Sequence, residues 1–500
     1  MLYFRIYFRV IVAFAVVGVI LGGSPSYCAA QDEPKQRKPA AVKISDEDPE
    51  VAAYFKSKGW SLKSDVRISD LKRLNYLNVE KPGDFFSDHI ELTDDDYKMI
   101  ARSKSLQVLN LQKVKTTDEG LKTVAGIPQM ENIIVDGEGV TDVGMKALAA
   151  SRSLDTVALA NVKNVTDAGI KELAALPKLQ SLNLMFCPLD GSAFEAFAGS
   201  KTLKSVKLFL VEGFTDDGAR FLANLPNLTE LEISTLSSKS KLTAAGIRAI
   251  VDNRMPEKFR FDKRLIDDAL LESLLAKGWL YGPTPPGSSE RKPASPEEVT
   301  SIGLGGSKVT DKGFEPLLKC VNIRSLHIDD SGIGDETLKK LSGFKKLSYL
   351  SLEKTKVTAA GLEAISALPI KHLAMQYCEL TEESFKAIGK MTTLEELWLG
   401  NAKMKGEWLK QISSLPKLKE LSLERTDFNN DSARHLTPLS NLEKLNLQST
   451  ELGDAGFQEL VKLPKLRSFY LDGTKVTKEV FQKAKKDHPK IYMQFVGIDR

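Results

Sequence analysis

Residues able to do chemistry are few and scattered in this 500-residue chain. Its five histidines, His89, His327, His372, His435 and His488, fall at no spacing that would seat two of them on one metal ion. No HExxH, CxxC, GxSxG or GxxxxGK[ST] accompanies them. Asp329-Asp330-Ser331-Gly332-Ile333-Gly334-Asp335-Glu336 comes nearest to a calcium loop, yet that register puts Ile333 at a ligand position and Lys340 where a bidentate glutamate is needed. Paired acids such as Asp216-Asp217 and Asp267-Asp268 stand where helices begin, and there they favour the helix dipole. No catalytic residue, metal ligand or cofactor is therefore predicted, and the chain reads as non-enzymatic. What remains is recognition chemistry. Trp398, with Tyr349, His372 and Tyr377 and with Glu396, Glu420 and Glu424 at their border, forms a candidate aromatic patch, to which Tyr470 is added further along. Aromatics of this kind suit contact with a peptide or protein carrying basic groups, or stacking of a sugar ring.

A repeat must position those residues. A phrase close to LxxLxLxx(T/S/C)xVTDxGL returns about every 24 residues, as in Leu106/Leu109/Leu111, Leu154/Val157/Leu159, Leu179/Leu182/Leu184 and, later, Leu466/Phe469/Leu471. LxxLxL alternates as a short strand does, leucines towards a core and the intervening residues outward. TDxGLxxLAxLP has helical spacing: Thr166 caps, Asp167 favours the first turn, Ile170, Leu173 and Leu176 form the inward stripe, and Pro177 ends the helix. Gly120, Gly144, Gly169, Gly246, Gly361 and Gly456 are expected to let each helix approach its neighbours closely. One such unit cannot cover its own apolar face, whereas stacked units bury a continuous core. The predicted fold is an α/β right-handed solenoid, or horseshoe, with parallel strands on the concave face and helices on the convex face.

Outward strand positions then form rows, one residue per repeat and about 4.8 Å apart. One row of the second half reads Ser301, Ser325, Tyr349, His372, Glu396, Glu420, Lys444, Ser468. The next reads Gly303, His327, Ser351, Ala374, Trp398, Ser422, Asn446, Tyr470, and a third holds Asp329, Glu353, Gln376, Gly400, Glu424, Gln448, Asp472. The matching positions of the first half hold Ile134, Ala158, Ala160, Met185 and Phe209, an apolar strip that suits a partner or the other array.

Residues 1–30 read as a secretory signal: Arg5 and Arg9, an apolar run from Val10 to Leu21, and Cys28-Ala29-Ala30 before Gln31. The run is shorter than the roughly 18 to 20 residues of a membrane span, so export without a membrane-spanning segment is expected, with an uncleaved anchor as the alternative. Removing that segment takes two arginines and no acid, lowering the formal charge from +4 to +2. Such balance provides no basic field for nucleic acid, and none is expected as a partner. Cys187 and Cys378 occupy the (T/S/C) position and Cys320 an apolar one, so all three are expected to be buried and inert. Glu138 and Ala402 depart from that position, and irregular turns are expected there.

Val51 to Trp60 (VAAYFKSKGW) and Leu270 to Trp279 (LLESLLAKGW) resemble each other, and each is followed by an irregular stretch and then repeats, which looks like an internal duplication. The organisation is read as a flexible lead and capping helix over 31–65, a first array over 66–281, a Pro/Ser-rich linker over 282–298 and a second array over 299–500. Whether the linker divides two arcs or bulges from one stays open.

Val165 to Leu184, VTDAGIKELAALPKLQSLNL, resembles the ribonuclease-inhibitor-like and cysteine-containing class of leucine-rich repeats. More narrowly, it is similar to the exported, many-repeat proteins of this class in planctomycete-type bacteria, and the likeness runs over residues 66 to 500. It implies a horseshoe that recognises a protein, peptide or glycan, and it carries over no catalytic residue. A structural envelope component assembling through the apolar strip is the alternative. A ubiquitin-ligase substrate-recognition subunit ranks below both, because the chain opens on a signal segment and shows no F-box-like stretch.

Overall fold

The structure, a computed structural model, describes residues 48–67, 73–79, 90–234, 240–279 and 295–496; the side chains of 61–67, 73–75 and 78 are not described. The signal segment, the flexible lead and residues 282–294 of the linker fall outside these. The chain divides into two compact units, the first reaching Asp262 and the second starting at Lys263. Each carries one nine-stranded sheet among the described residues, with strands in chain order.

In the first unit, Ser61–Arg67 and Arg73–Asn78 pair antiparallel, and every later strand, from Val108–Leu111 to Lys258–Phe261, is parallel to its neighbour. In the second, Ser301–Gly303 through Tyr492–Gln494 are parallel throughout. The registers place Leu326, Leu350, Leu373, Leu397, Leu421, Leu445, Phe469 and Met493 on one line, each 7 % exposed or less. Burying each contributes roughly 1.5–3 kcal/mol. The final strands of both sheets, Lys258–Phe261 and Tyr492–Gln494, lack the leucine phrase and were not legible in it.

Six strands of the second unit are each followed, three residues on, by a left-handed residue, with φ between 48° and 60° at Asp330, Lys354, Tyr377, Asn401, Arg425 and Ser449. Their N–H groups extend the ladder beyond the strands: Asp330 donates to the Glu353 carbonyl at 2.7 Å, Lys354 to Gln376 at 3.0 Å and Tyr377 to Gly400 at 3.2 Å. The next residue closes the turn. Thr355, Thr426, Thr450 and Thr474 donate their hydroxyls to the carbonyls of Leu352, Leu423, Leu447 and Leu471 at 2.6–2.7 Å. Cys187 and Cys378 stand there too, buried, their thiols 3.3 and 3.2 Å from the Met185 and Leu352 carbonyls. Burial pushes both thiols up, Cys187 to about 12. At Ala402 the expected irregularity is absent. Asn401 keeps φ 60° and the Ala402 N–H reaches the Leu399 carbonyl at 3.0 Å, so only the hydroxyl bond is lost. Glu138 does sit in a different turn, exposed, after Gly137 at φ 110°.

The Thr-Asp-x-Gly phrase works between repeats. Thr141, Thr166, Thr243 and Thr358 cap their own helices, and each also donates its backbone N–H to the aspartate one repeat earlier. Those acceptors are Asp118, Asp142, Asp216 and Asp335, at 2.7–2.9 Å. Their carboxylates lie where a side chain on the following glycine would fall: a Cβ on Gly144, Gly169, Gly246 or Gly361 would meet an aspartate oxygen at 2.3–2.5 Å. Glycine is needed there because of the neighbour's carboxylate.

The boundary between arrays differs from the sequence reading, which closes the first array at 281. Helix Asp268–Ala276 belongs to the second unit, where Asp268 accepts from the Thr310 N–H at 2.8 Å and a Cβ on Gly313 would meet its carboxylate oxygen at 2.0 Å. The helix thus stands one place before helix Asp311–Phe314 in the same aspartate ladder.

Candidate functional site

The outward rows of the second unit form as the leucine register requires. Tyr349 pairs with His372, His372 with Glu396, Ala374 with Trp398 and Glu396 with Glu420. Tyr349, His372, Glu396 and Trp398 are all half-buried, with their strand's central leucine turned to the core. The Tyr349 ring is the hub: its centroid lies 4.7 Å from that of His327, 6.0 Å from His372 and 6.2 Å from Trp398, the last at a 64° edge-on angle. Such edge contacts between aromatic rings are favourable beyond burial alone. Two polar contacts fix the flanking imidazoles. Ser325 Oγ and His327 Nε2 share a hydrogen bond at 2.9 Å, and His372 Nδ1 lies 3.0 Å from Glu396 Oε2.

Charge around the hub is uneven. Glu420 meets Lys444 at 3.1 Å, and Asn446 donates to Glu424 at 2.9 Å. Asp329 and Glu353, two rungs of the third row, make no ion pair among the described residues. Burial and then the charge of Asp329 raise the Glu353 carboxyl above the usual range. Burial also raises the Tyr349 hydroxyl, with Glu353, Asp329 and Glu396 adding to it. Burial lowers His327, so its imidazole is neutral at pH 7. The Gln376 Oε1 on the next rung is shielded from solvent and has no hydrogen-bond partner.

Tyr377 stands at the rim in the left-handed turn, 51 % exposed, with the Lys354 ammonium 5.4 Å over its ring. Tyr470 is apart from the cluster: it lies three rungs from Trp398 and packs against Tyr492 at 6.1 Å. The sequence reading left out His327, Asp329 and Glu353 as site residues although all three stand in its rows. Their adjacency to Tyr349 was the available clue. An open groove of about 470 Å³ runs along Glu424, Gln448 and Asp472, beyond the aromatic hub.

In the first unit the apolar strip is largely closed off. Ile134, Ala158, Ala160 and Met185 are 2–4 % exposed, and Phe209 is half-buried, edge-on to Phe186 at 6.1 Å. The row pattern gives the apolar character of this strip and says nothing of its accessibility.

A model of the Leucine Rich repeat family matches residues 439–461, about one unit of the series. That match covers one repeat, and the two sheets of strands joined by helices have the fold of an α/β leucine-rich-repeat solenoid. No curated protein matches it. Among solved structures, it is similar to a leucine-rich-repeat protein of Leptospira interrogans at 17% identity, covering 82% of this chain and 100% of that one with a TM-score of 0.42. An internalin of Listeria monocytogenes is 16% identical over 77% of this chain and 90% of its own, at 0.32. The mouse RP105/MD-1 complex matches at 14% identity over 81% and 73%, at 0.43. The fold assignment rests on the repeats themselves.

Proposed function

We propose that this chain is a non-enzymatic, exported recognition protein that binds a protein or peptide across the outward, concave face of its second array. The observation that carries the reading is the ring cluster of His327, Tyr349, His372 and Trp398. These rings lie half-buried on a face held rigid by a continuous parallel ladder. Aromatic anchors on a preorganised surface lose little side-chain freedom on binding, the property expected of hot spots. Export rests on the character of residues 1–30. Assembly through the first array's strip is the weaker reading, because Ile134, Ala158, Ala160 and Met185 present almost no surface.

The test is capture of partners by residues 31–500, compared with a Tyr349→Ala/Trp398→Ala double variant of matched thermal stability. Loss of partners that the wild type retains, with at least about tenfold weaker binding, is the expected result. Retention of every partner at unchanged affinity would sink the second-array site.

A further inference from the structure

We infer that the first array carries a second, wholly polar binding site, a groove across four repeats that takes a carboxylate-bearing polysaccharide. The inference goes beyond the second-array reading and does not depend on it. Its starting point is an open groove of about 520 Å³ in the first unit. The groove crosses the loops that lead into four successive strands, from Asn132–Asp136 to Ser205–Phe209. Backbone bonds hold those loops in step: the Asp155 N–H donates to the Glu131 carbonyl at 2.8 Å, Gln180 to Asp155 at 2.7 Å and Lys204 to Gln180 at 2.8 Å. Glu131, Asp155, Gln180 and Lys204 therefore form one row, with rungs about 4.8 Å apart. The first two places of that row are acidic and the last is basic, and Lys178 and Lys201 line the groove at the basic end. Ser153 and Asp155, 8 % and 7 % exposed, form a buried polar floor.

The two ends differ in their partners. Glu131 accepts from Gln107 Nε2 at 3.2 Å, Asp155 accepts from the Thr156 hydroxyl at 2.9 Å, and Ser153 donates to the Ile127 carbonyl at 3.2 Å. Lys178, Lys201 and Lys204 are exposed and meet no carboxylate among the described residues. Beside them, the half-buried Gln180 amide and Thr202 hydroxyl have no side-chain partner there either. The same row of the second unit is built otherwise. Lys371, Glu395, Lys419, Glu443 and Arg467 alternate in sign, with Glu395 3.1 Å from Lys371 and 2.7 Å from Lys419, and Glu443 3.7 Å from Arg467. One repeat position thus neutralises itself in the second unit and separates its charges along a groove in the first.

Such a groove calls for an anion among the lysines and for neutral donors towards Glu131 and Asp155. A chain of uronate sugars supplies both, carboxylates and hydroxyls, along its length. A polymer with a phosphate at every step is repelled at the acidic end, and a neutral sugar chain leaves the lysines without an anion. A peptide fits less well, because Pro128 is the one apolar side chain of the lining and an anchor residue finds nothing to pack against.

The experiment measures binding of residues 31–500 to polygalacturonate, to its full methyl ester, to polyglutamate and to double-stranded DNA, at physiological ionic strength so that long-range attraction is screened. The ester keeps the hydroxyls and loses the charge; polyglutamate keeps the carboxylates and loses the hydroxyls. Wild type is expected to bind polygalacturonate at least about tenfold more tightly than any of the other three. Lys178→Gln/Lys201→Gln/Lys204→Gln should abolish that preference at an unchanged melting temperature, since all three side chains are exposed. Lys345→Gln/Lys346→Gln/Lys417→Gln removes the same charge from exposed loop positions of the second unit and should preserve it. Equal binding of acid and ester, or of polygalacturonate and polyglutamate or DNA, overturns the inference, as does an equal loss in both triple variants. Tyr349→Ala/Trp398→Ala should leave polygalacturonate binding intact, so this site and the second-array face fail or stand separately.

Discussion

Asp96 shows how one position in a repeat can be indistinguishable in sequence and singular in the fold. Asp94, Asp95 and Asp96 all open helix Asp94–Ala101, and by composition each is a solvated first-turn acid. Packing of the opening helix Pro49–Ser57 separates them: Asp96 is 2 % exposed, accepts from the Tyr54 hydroxyl at 2.9 Å and meets Lys58 at 2.8 Å. Burial pushes its carboxyl up, but donation from Lys58, from the Thr93 hydroxyl and backbone, and from Tyr54 outweighs burial and holds it at about 2. The folded value lies below the unfolded 3.8, so the contribution is present above the unfolded value and is lost as pH falls through the folded one. It amounts to about 2 kcal/mol near neutrality. Asp96→Asn is expected to cost roughly that much in urea unfolding at about pH 6, with the gap to wild type narrowing by about half near pH 3. A gap independent of pH would show that the carboxylate is not the source. The Thr93 cap was legible from its type and place. The burial of Asp96 was not, because it depends on Tyr54 and Lys58, about 40 residues earlier in a helix outside the repeat pattern.

At the scale of elements, the leucine period set the strand register, and the register set the rows that hold Tyr349, His372, Glu396 and Trp398. That part of the candidate site was readable because side-chain direction alternates strictly along a strand. The helix-opening phrase was seen but only half understood. Read one helix at a time, Thr-Asp-x-Gly is a cap, a dipole partner and a small residue; in the stack, Asp335 receives the Thr358 N–H at 2.8 Å and occupies the space beside Gly361. An exposed mid-helix glycine replaced by alanine ordinarily gains up to about 1 kcal/mol. Here the sign should reverse. A Cβ on Gly361 would lie 2.4 Å from Asp335 Oδ1 and 3.0 Å from Leu338 Cδ1, so Gly361→Ala is expected to destabilise by about 1–3 kcal/mol. In an Asp335→Ala background the penalty should shrink by at least about 0.5 kcal/mol, since the main obstacle is gone. A double-mutant cycle in urea measures the coupling, and strict additivity would refute the account.

At the scale of the molecule, duplication of the helix-Gly-Trp segment is visible in the sequence, and its second copy, read there into the first array, lies in the second compact unit. Both copies end alike: Gly59 at φ 71° with the Trp60 N–H on the Phe55 carbonyl at 2.9 Å, and Gly278 at φ 76° with the Trp279 N–H on the Leu274 carbonyl at 2.9 Å. Identical C-terminal closures mark identical duties. The first copy opens the first unit, so the second opens the second, and the Pro/Ser-rich stretch follows that second helix in the chain. That insertion stretches the aspartate-to-threonine step from 24 residues, as between Asp142 and Thr166, to 42 between Asp268 and Thr310. The long step is what hid the continuity. A fragment of residues 263–500 is therefore expected to fold cooperatively, whereas 282–500 loses Leu270, Leu271 and Leu274, each 1 % exposed or less, together with the Asp268 carboxylate that receives Thr310. Three leucines at roughly 1.5–3 kcal/mol each place the deficit above about 4 kcal/mol. Urea unfolding followed by circular dichroism compares the two directly. Equal midpoints would return helix Asp268–Ala276 to the first array; a sharp transition confined to the longer fragment would make it the cap on which the second array is built.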